Sequence, residues 1–184
     1  MKAICYSFLF IVILIGCSDS AVTPVSSYTS EYYPLQVGNE WKYVETRYYD
    51  TIGIYKVSVV SEEVINGKTY YKVEDSAKIA EKTRGVRYER IENEKMYYTR
   101  SNDGAEILDI DFVNQDQSIG SFYGTLDKVE YKVDTFYNVK QINWLKADYS
   151  CFNQYAPNIG LIYSESMGYR KELIYAKIGD KIYQ

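Results

Sequence analysis

The sequence predicts an all-β fold: a single domain of antiparallel, strongly curved sheet, open or half-barrel-like, with few or no helices. Three observations predict it. Apolar and polar residues alternate with period 2 over most of the chain, as they do where successive side chains point to opposite faces of a strand. Turn-forming residues separate the alternating runs at short intervals, which favours tight hairpins. Tyrosine supplies 22 of the 184 residues, and aromatic and β-branched side chains suit a pleated, half-buried surface.

The runs follow in order. Glu40 to Tyr49 reads as a first strand. Tyr55, Val57 and Val59 then alternate with Lys56 and Ser58. Asn66-Gly67 stands between Val64-Ile65 and the run Thr69 to Val73. That pair predicts a two-residue hairpin, because a type I′ turn needs positive φ at both central residues. Val86 to Ile91, Lys95 to Arg100 and Ala105 to Phe112 come next, parted by Glu92-Asn93-Glu94 and by Ser101-Asn102-Asp103-Gly104. Across residues 129–139, Val129, Tyr131, Val133, Thr135, Tyr137 and Val139 face one way and Glu130, Lys132, Asp134 and Asn138 the other, with Phe136 the exception. This predicts one strand with a wet face. In residues 145–151, Leu145, Ala147, Tyr149 and Cys151 alternate with Lys146, Asp148 and Ser150, while Ile142 and Trp144 are out of phase and imply a bulge or turn. Gly160 to Ser164 and Arg170 to Ile178 flank Met167-Gly168, and Lys181 to Tyr183 closes the series. Only Ser76 to Arg84 could hold two helical turns. Tyr-Lys-Val recurs at 55, 71 and 131 at unequal gaps, so no repeat architecture is implied.

The amino terminus has a separate logic. Met1-Lys2 precedes an apolar run from Phe8 to Ile15, which falls short of the roughly 20 residues a spanning helix needs. A basic start, a short apolar core and a small residue at the end make a secretory signal. Leu14-Ile15-Gly16-Cys17 resembles the lipobox of bacterial lipoproteins. The resemblance implies cleavage after Gly16 and diacylglycerol on the Cys17 thiol, and two or three acyl chains make a lasting membrane anchor. The expected organisation is therefore a signal peptide over 1–16, a lipidated flexible tether over 17–30, rich in Ser, Thr and Pro, and a β domain over 31–184. Ser18 rather than Asp follows Cys17, which in a cell with two membranes resembles the sorting signal for the outer one. The expected location is the bacterial cell envelope, with the periplasmic or surface side left open.

Composition removes several function classes. The chain carries 21 Lys and Arg against 25 Asp and Glu, a net charge of −4, with no basic block, so nucleic acid is not an expected partner. There is no histidine, which excludes Ser-His-Asp and Cys-His nucleophilic catalysis, His-based zinc sites and His-ligated haem. Cys151 is the one cysteine in the β domain, so no intramolecular disulfide forms there. It lies on the apolar side of its run, and an inert buried thiol is expected. Asp109, Asp111, Asn114 and Asp116 offer oxygen ligands, but Leu108, Ile110 and Phe112 alternate with them. They read as the wet face of a strand, and the spacing lacks the glycine of a calcium loop. Acid pairs such as Glu62-Glu63 and Glu92 with Glu94 lie near turns, where solvated carboxylates are ordinary. No metal or cofactor is expected.

The aromatic surplus carries the functional expectation. Tyr and Trp pair an apolar body with a polar handle and recur at binding surfaces. Trp41, Tyr43, Tyr49, Tyr71, Tyr98 and Trp144 are the candidate ligand-binding residues. Adjacent tyrosines at 48–49, 70–71 and 97–98 are expected to place one ring on each face of a sheet.

Two segments carry a family resemblance. Residues 33–43 read Tyr33-Pro34-Leu35-Gln36-Val37-Gly38-Asn39-Glu40-Trp41-Lys42-Tyr43, and residues 155–163 read Tyr155-Ala156-Pro157-Asn158-Ile159-Gly160-Leu161-Ile162-Tyr163. Together they resemble the uncharacterised lipoproteins common in Bacteroidetes and their relatives, with Asn158 where that family often has Gly. The resemblance implies an antiparallel sheet on a lipid tether and implies no activity. The leading expectation is a non-enzymatic, lipid-anchored module that offers a tyrosine-rich sheet face to an envelope protein or glycan. The alternative is a lipophile carrier whose curved sheet encloses an apolar cavity, although carriers of that kind plug the barrel with helices and this sequence has few. A hydrolase comes third. A flat aromatic face favours the first; an apolar cavity favours the second.

Overall fold

The computed structural model describes residues 30–79, 82–100, 105–114, 120–146 and 149–184. The cleavage and lipidation sites expected at Gly16 and Cys17 lie outside the described residues. Alternation is realised as twelve strands. They are β1 (Glu40–Arg47), β2 (Asp50–Ile65), β3 (Lys68–Ile79), β4 (Lys82–Glu92), β5 (Lys95–Thr99) and β6 (Ile107–Asp111), then β7 (Gly120–Glu130), β8 (Thr135–Lys146), β9 (Tyr149–Ala156), β10 (Gly160–Ser166), β11 (Tyr169–Ile178) and β12 (Lys181–Tyr183). No helix occurs among the described residues.

Each strand pairs with the next in sequence, and β1 also pairs with β11 from Glu40↔Lys177 to Arg47↔Tyr169. The sheet therefore curves all the way round into a barrel of eleven strands. Closing a ring with an odd number of strands has a topological consequence. Directions cannot alternate throughout, so at least one neighbouring pair must run parallel. That pair is β6–β7, joined only through Ile110↔Gly120 and Asp111↔Ser121. It is the thinnest seam in the wall. Ala176 pairs with Trp41 on one edge of β11 and with Tyr183 on the other, so β12 continues the edge that β10 begins.

One end of the barrel is capped. The segment Ser30–Leu35 folds across it, with Tyr32 and Leu35 buried. Ser30 is itself buried and its Oγ donates to Glu94 Oε2 at 2.5 Å. Phe112, 0% exposed, seals the cap against Tyr32, Tyr33 and Tyr155, with ring centroids 6.4, 6.5 and 5.1 Å away. The long β7–β8 hairpin folds back on the outer wall: Tyr131 stacks on Tyr163 at 5.6 Å and its hydroxyl donates to Gln154. The wall is further clamped on its outer side. Arg90 grips Glu106 with two bonds of 2.7 Å, while Tyr70 donates to the same carboxylate. These donors hold the Glu106 carboxyl down to about 2, with the Arg90 bonds the largest cause.

Tight turns join the strands. Asn66 and Gly67 sit at φ of 51° and 75°, the type I′ hairpin that their identity predicts. Asn93-Glu94, Tyr48-Tyr49 and Met167-Gly168 also place two consecutive residues at positive φ.

Several local expectations are corrected. Residues 129–139 are not one strand: β7 ends at Glu130, β8 starts at Thr135, and Tyr131 N donates to Asp134 O across the turn. The alternation also inverts in β8, where Phe136 is buried and Tyr137 exposed. Residues 145–151 likewise divide between β8, ending at Lys146, and β9, starting at Tyr149, with 147–148 outside the described residues. Ser76 to Arg84 gives strand rather than helix in β3 and β4. Asp109 and Asp111 are not a wet face. Asp111 is buried, its Oδ1 accepts from Val113 N and Asn114 N at 2.9 Å each, and Ile110 beside it is buried as well. Tyr48 and Tyr49 form a turn and both are exposed; Tyr70 and Tyr71 do take opposite faces, yet both are buried. Ser30, assigned to the tether by composition, belongs to the cap.

Candidate functional site: the barrel lumen

Alternation around a closed wall sends one side chain in two toward a common interior. Here those side chains leave a cavity of about 730 Å³. Its size is that of a site for a single small molecule, since such sites run from about 300 to 1,000 Å³.

Much of the lining is aromatic and apolar. Trp41 Nε1 donates to Ile159 O at 2.6 Å, and Tyr43 Oη donates to Leu161 O at 3.0 Å. Tyr43 stacks on Tyr55 with centroids 5.3 Å apart, and Tyr33 meets Tyr155 edge-on at 6.2 Å. The polar handles of Trp41 and Tyr43 are thus spent on backbone carbonyls, and what remains toward the lumen is ring surface. Burial pushes the Tyr33, Tyr43 and Tyr155 hydroxyls well above their ordinary range, so these rings stay neutral. Met96, Ile110 and Leu161 complete the apolar lining.

Charged side chains share the same lumen. Glu45, Asp75, Arg87, Asp109 and Lys171 reach the cavity from five different strands. Glu89, 0% exposed, sits behind Arg87 and pairs with it, while Tyr33 Oη donates to its other oxygen at 2.7 Å. Arg87 is walled by protein but touches the open cavity. Burial works against its charge, and Glu89, Tyr33, Asp109 and Asp75 outweigh burial and raise its pKa. The Arg87 side chain is 39% exposed and Glu89 is not exposed at all, so removing Arg87 strands a buried carboxylate. Glu45 faces Lys171 directly across β1 and β11, and the Lys171 ammonium lies 5.1 Å over the Tyr55 ring.

Cys151 is only half-buried and lines the lumen, so it is not packed into an apolar face. Its Sγ lies 3.6 Å from Asn153 Oδ1, and burial pushes the thiol up, which keeps it protonated and unreactive.

The mouth lies opposite the cap. The β1–β2 turn at Tyr48-Tyr49 and the β10–β11 turn at Met167-Gly168 adjoin there, with Tyr48 N donating to Gly168 O at 2.9 Å. The Tyr48 ring lies against Gly168, where a Cβ would come within 2.5 Å of it. Only glycine fits there.

Of the six candidate residues, the lumen brings together Trp41, Tyr43 and Trp144. Trp144 lies flat on Gly120, where a Cβ would clash at 2.2 Å, so the β7 backbone sets its position. Tyr71 is buried in the core beside the cavity and Tyr98 is half-buried opposite Glu89, neither of them lining it. Tyr49 is at the outer tip of the mouth, fully in solvent.

Sequence reasoning missed Tyr33, Tyr55, Tyr155, Arg87 and Lys171. The signal for Arg87 was present. Arg87, Glu89 and Ile91 alternate with Val86, Tyr88 and Arg90, so the period was legible, but hydrophobicity points to the Val86 side as the interior. In the barrel Val86 is exposed, and Arg87 and Glu89 point inward.

No family model matches the chain, and no curated protein matches it. Two solved structures do. One is a Bacteroides fragilis protein, thought to be exported and described as having a YmcC-like fold. It is 13% identical, spans 84% of this chain and 100% of its own, and superposes with a TM-score of 0.52. The other is a Parabacteroides distasonis protein thought to be a lipoprotein, 12% identical over 81% of this chain and 99% of its own, with a TM-score of 0.53. At these identities the likeness is one of fold, and the fold of this chain is one that both proteins share across nearly their whole lengths.

Proposed function

We propose that the protein is a lipid-anchored envelope protein whose barrel holds one small amphipathic lipophile. The observation that carries this is the mixed lining of the lumen. A cavity of about 730 Å³ is lined both by rings, with the Trp41 and Tyr43 polar handles already bonded, and by charged side chains from five strands. A purely apolar guest would leave those charges facing hydrocarbon, and a purely polar one would wet the rings. The alternative of a tyrosine-rich outer face loses ground, because Tyr33, Tyr43, Tyr55, Tyr71 and Tyr155 are committed to the interior of the fold.

Anchoring rests on Leu14-Ile15-Gly16-Cys17, and the likeness to an exported protein and a lipoprotein agrees with it. The outer membrane is the membrane that Ser18 favours. Binding rather than turnover is the activity proposed, since the chain has no histidine and the one thiol in the lumen is held protonated.

Titration with a fluorescent fatty acid tests the reading. Saturable binding is expected, and Trp144→Ala should weaken it at least about tenfold, the factor that 1.4 kcal/mol of lost contact gives. Tyr123→Ala, on the outside, should leave it unchanged. An absence of saturable binding by fatty acids, lysophospholipids and other single-headed lipids alike would reject the proposal.

A further inference from the structure

The two hairpins at the mouth expose aromatic and thioether side chains at their tips, whereas the exposed apolar residues toward the cap are chiefly aliphatic, Val37, Val64 and Val113 among them. Tyr48 is 65% exposed, Tyr49 92% and Met167 65%. Ile52 and Ile54 stand out from β2 beside them, also exposed. Tyr48, Tyr49 and Met167 all hold positive φ, at 49°, 102° and 49°. Side chains with a Cβ resist that region. The β2–β3 hairpin meets the same demand with Asn66-Gly67, the pair best suited to it. At the mouth, large side chains occupy positions where small polar ones would serve; the Tyr48 ring packs on Gly168, while Tyr49 and Met167 project into water. For Tyr49 and Met167 a local rule is broken without a compensating contact, which marks a functional surface.

Charge completes the pattern. The Arg47 guanidinium lies 5.6 Å from the Tyr48 ring centroid and 5.1 Å from that of Tyr169. Among the described residues no carboxylate pairs with it, whereas Arg170 nearby is held by Glu165 at 3.3 Å. We infer that the mouth docks on an anionic lipid surface, with Tyr48, Tyr49 and Met167 entering the headgroup layer and Arg47 meeting a lipid phosphate. Tyrosine is suited to the membrane interface, and arginine to phosphate. The exposed residues stand on two adjoining hairpin turns. The inference rests on the lumen reading in one respect: docking would set the mouth against the membrane and let a lipophile pass without crossing water.

Hydrogen exchange on the full chain tests it, with and without vesicles of equal parts phosphatidylglycerol and phosphatidylcholine. Exchange at residues 47–52 and 166–170 should slow several-fold with vesicles, and exchange at 66–67 and 93–94 should not change. The triple variant Tyr48→Ser, Tyr49→Ser, Met167→Ser should lose the slowing. Arg47→Gln, which leaves the turns intact, should remove the preference for phosphatidylglycerol. No slowing at the mouth, or equal slowing at the opposite end, overturns the inference. Fatty-acid binding without slowing at the mouth overturns docking alone; slowing at the mouth without fatty-acid binding overturns the lumen reading and leaves docking standing.

Discussion

The two ends of this barrel solve the same problem in opposite ways. Every end of a sheet must turn its chain and shield its interior. At the capped end the turns use Asn66-Gly67 and Asn93-Glu94, and Ser30–Leu35 with Phe112 fills the opening. Handles are bonded: Tyr32 Oη donates to Asn138 O at 3.1 Å and Asn39 Nδ2 to Pro34 O at 2.8 Å. At the mouth the turns use Tyr48-Tyr49 and Met167-Gly168, and apolar side chains are left in water. Apolar side chains stand in water at both ends, Val37, Val64 and Val113 toward the cap among them. The difference lies in the turns: among the described residues, those toward the cap give positive φ to Asn, Glu and Gly, and those at the mouth give it to Tyr and Met as well as Gly.

Breaking the cap should have the largest effect. Phe112→Ala removes a side chain with no exposure from contact with three rings. It should cost about 3–5 kcal/mol, as large-to-small changes of buried aromatics do, read by urea denaturation. A loss below about 1 kcal/mol, the level of a surface change, would mean that the cap is loosely held.

The wall beside the cap gives the next effect. Glu106→Gln weakens the double grip of Arg90, which is itself buried. It should cost about 1–3 kcal/mol at neutral pH, the range for leaving a buried partner poorly satisfied. The pH dependence has a definite sign. The carboxyl is held at about 2 against an ordinary 4.5, so its contribution is fully present above about 4.5 and is lost as pH falls toward about 2. Glu106→Gln should flatten the acid limb of the stability profile over that window. An acid limb as steep as in the parent protein would place the acid sensitivity elsewhere, with Asp111 the next candidate. Burial alone would raise the Asp111 carboxyl, and donation from Asn114, Val113 and Lys95 holds it below its usual range instead.

The smallest effect should have the opposite sign, and it sharpens the comparison most. Tyr49→Gly replaces a side chain that touches little with the residue that accepts a φ of 102°. It should stabilise the fold by about 1 kcal/mol, the strain that L residues carry in the left-handed region, seen as a higher melting temperature. Destabilisation would mean that Tyr49 makes a contact that its exposure conceals.

The fold was largely legible because strand periodicity and turn chemistry are local. Asn66-Gly67 specified its hairpin, and Trp41 and Tyr43 share an inward face as their spacing required. Closure was not legible, since pairing of β1 with β11 joins residues far apart in sequence and has no local signal. Phase was legible but polarity misled wherever the interior is polar. Val86 and Ile54 face water while Arg87, Glu89 and Asp75 face inward, the reverse of the simple rule. The turn at Tyr131–Asp134 escaped notice because its residues continue the alternation of β7. Three aromatic candidates reached the lumen because their positions in β1 and β8 fall on the inward phase of the wall. Tyr49 did not, because its turn needs positive φ and nothing in its chemistry announces that.

The most direct test of the lumen as a binding site is the native mass of the full protein, extracted gently from the cells that make it. An added mass in one-to-one ratio, removed by organic solvent and absent when Leu161→Asp places a further charge among the rings that line the lumen, is the predicted result. A protein that carries only its own mass and its anchor, and takes up no lipid when supplied with the total lipid of those cells, would contradict the account.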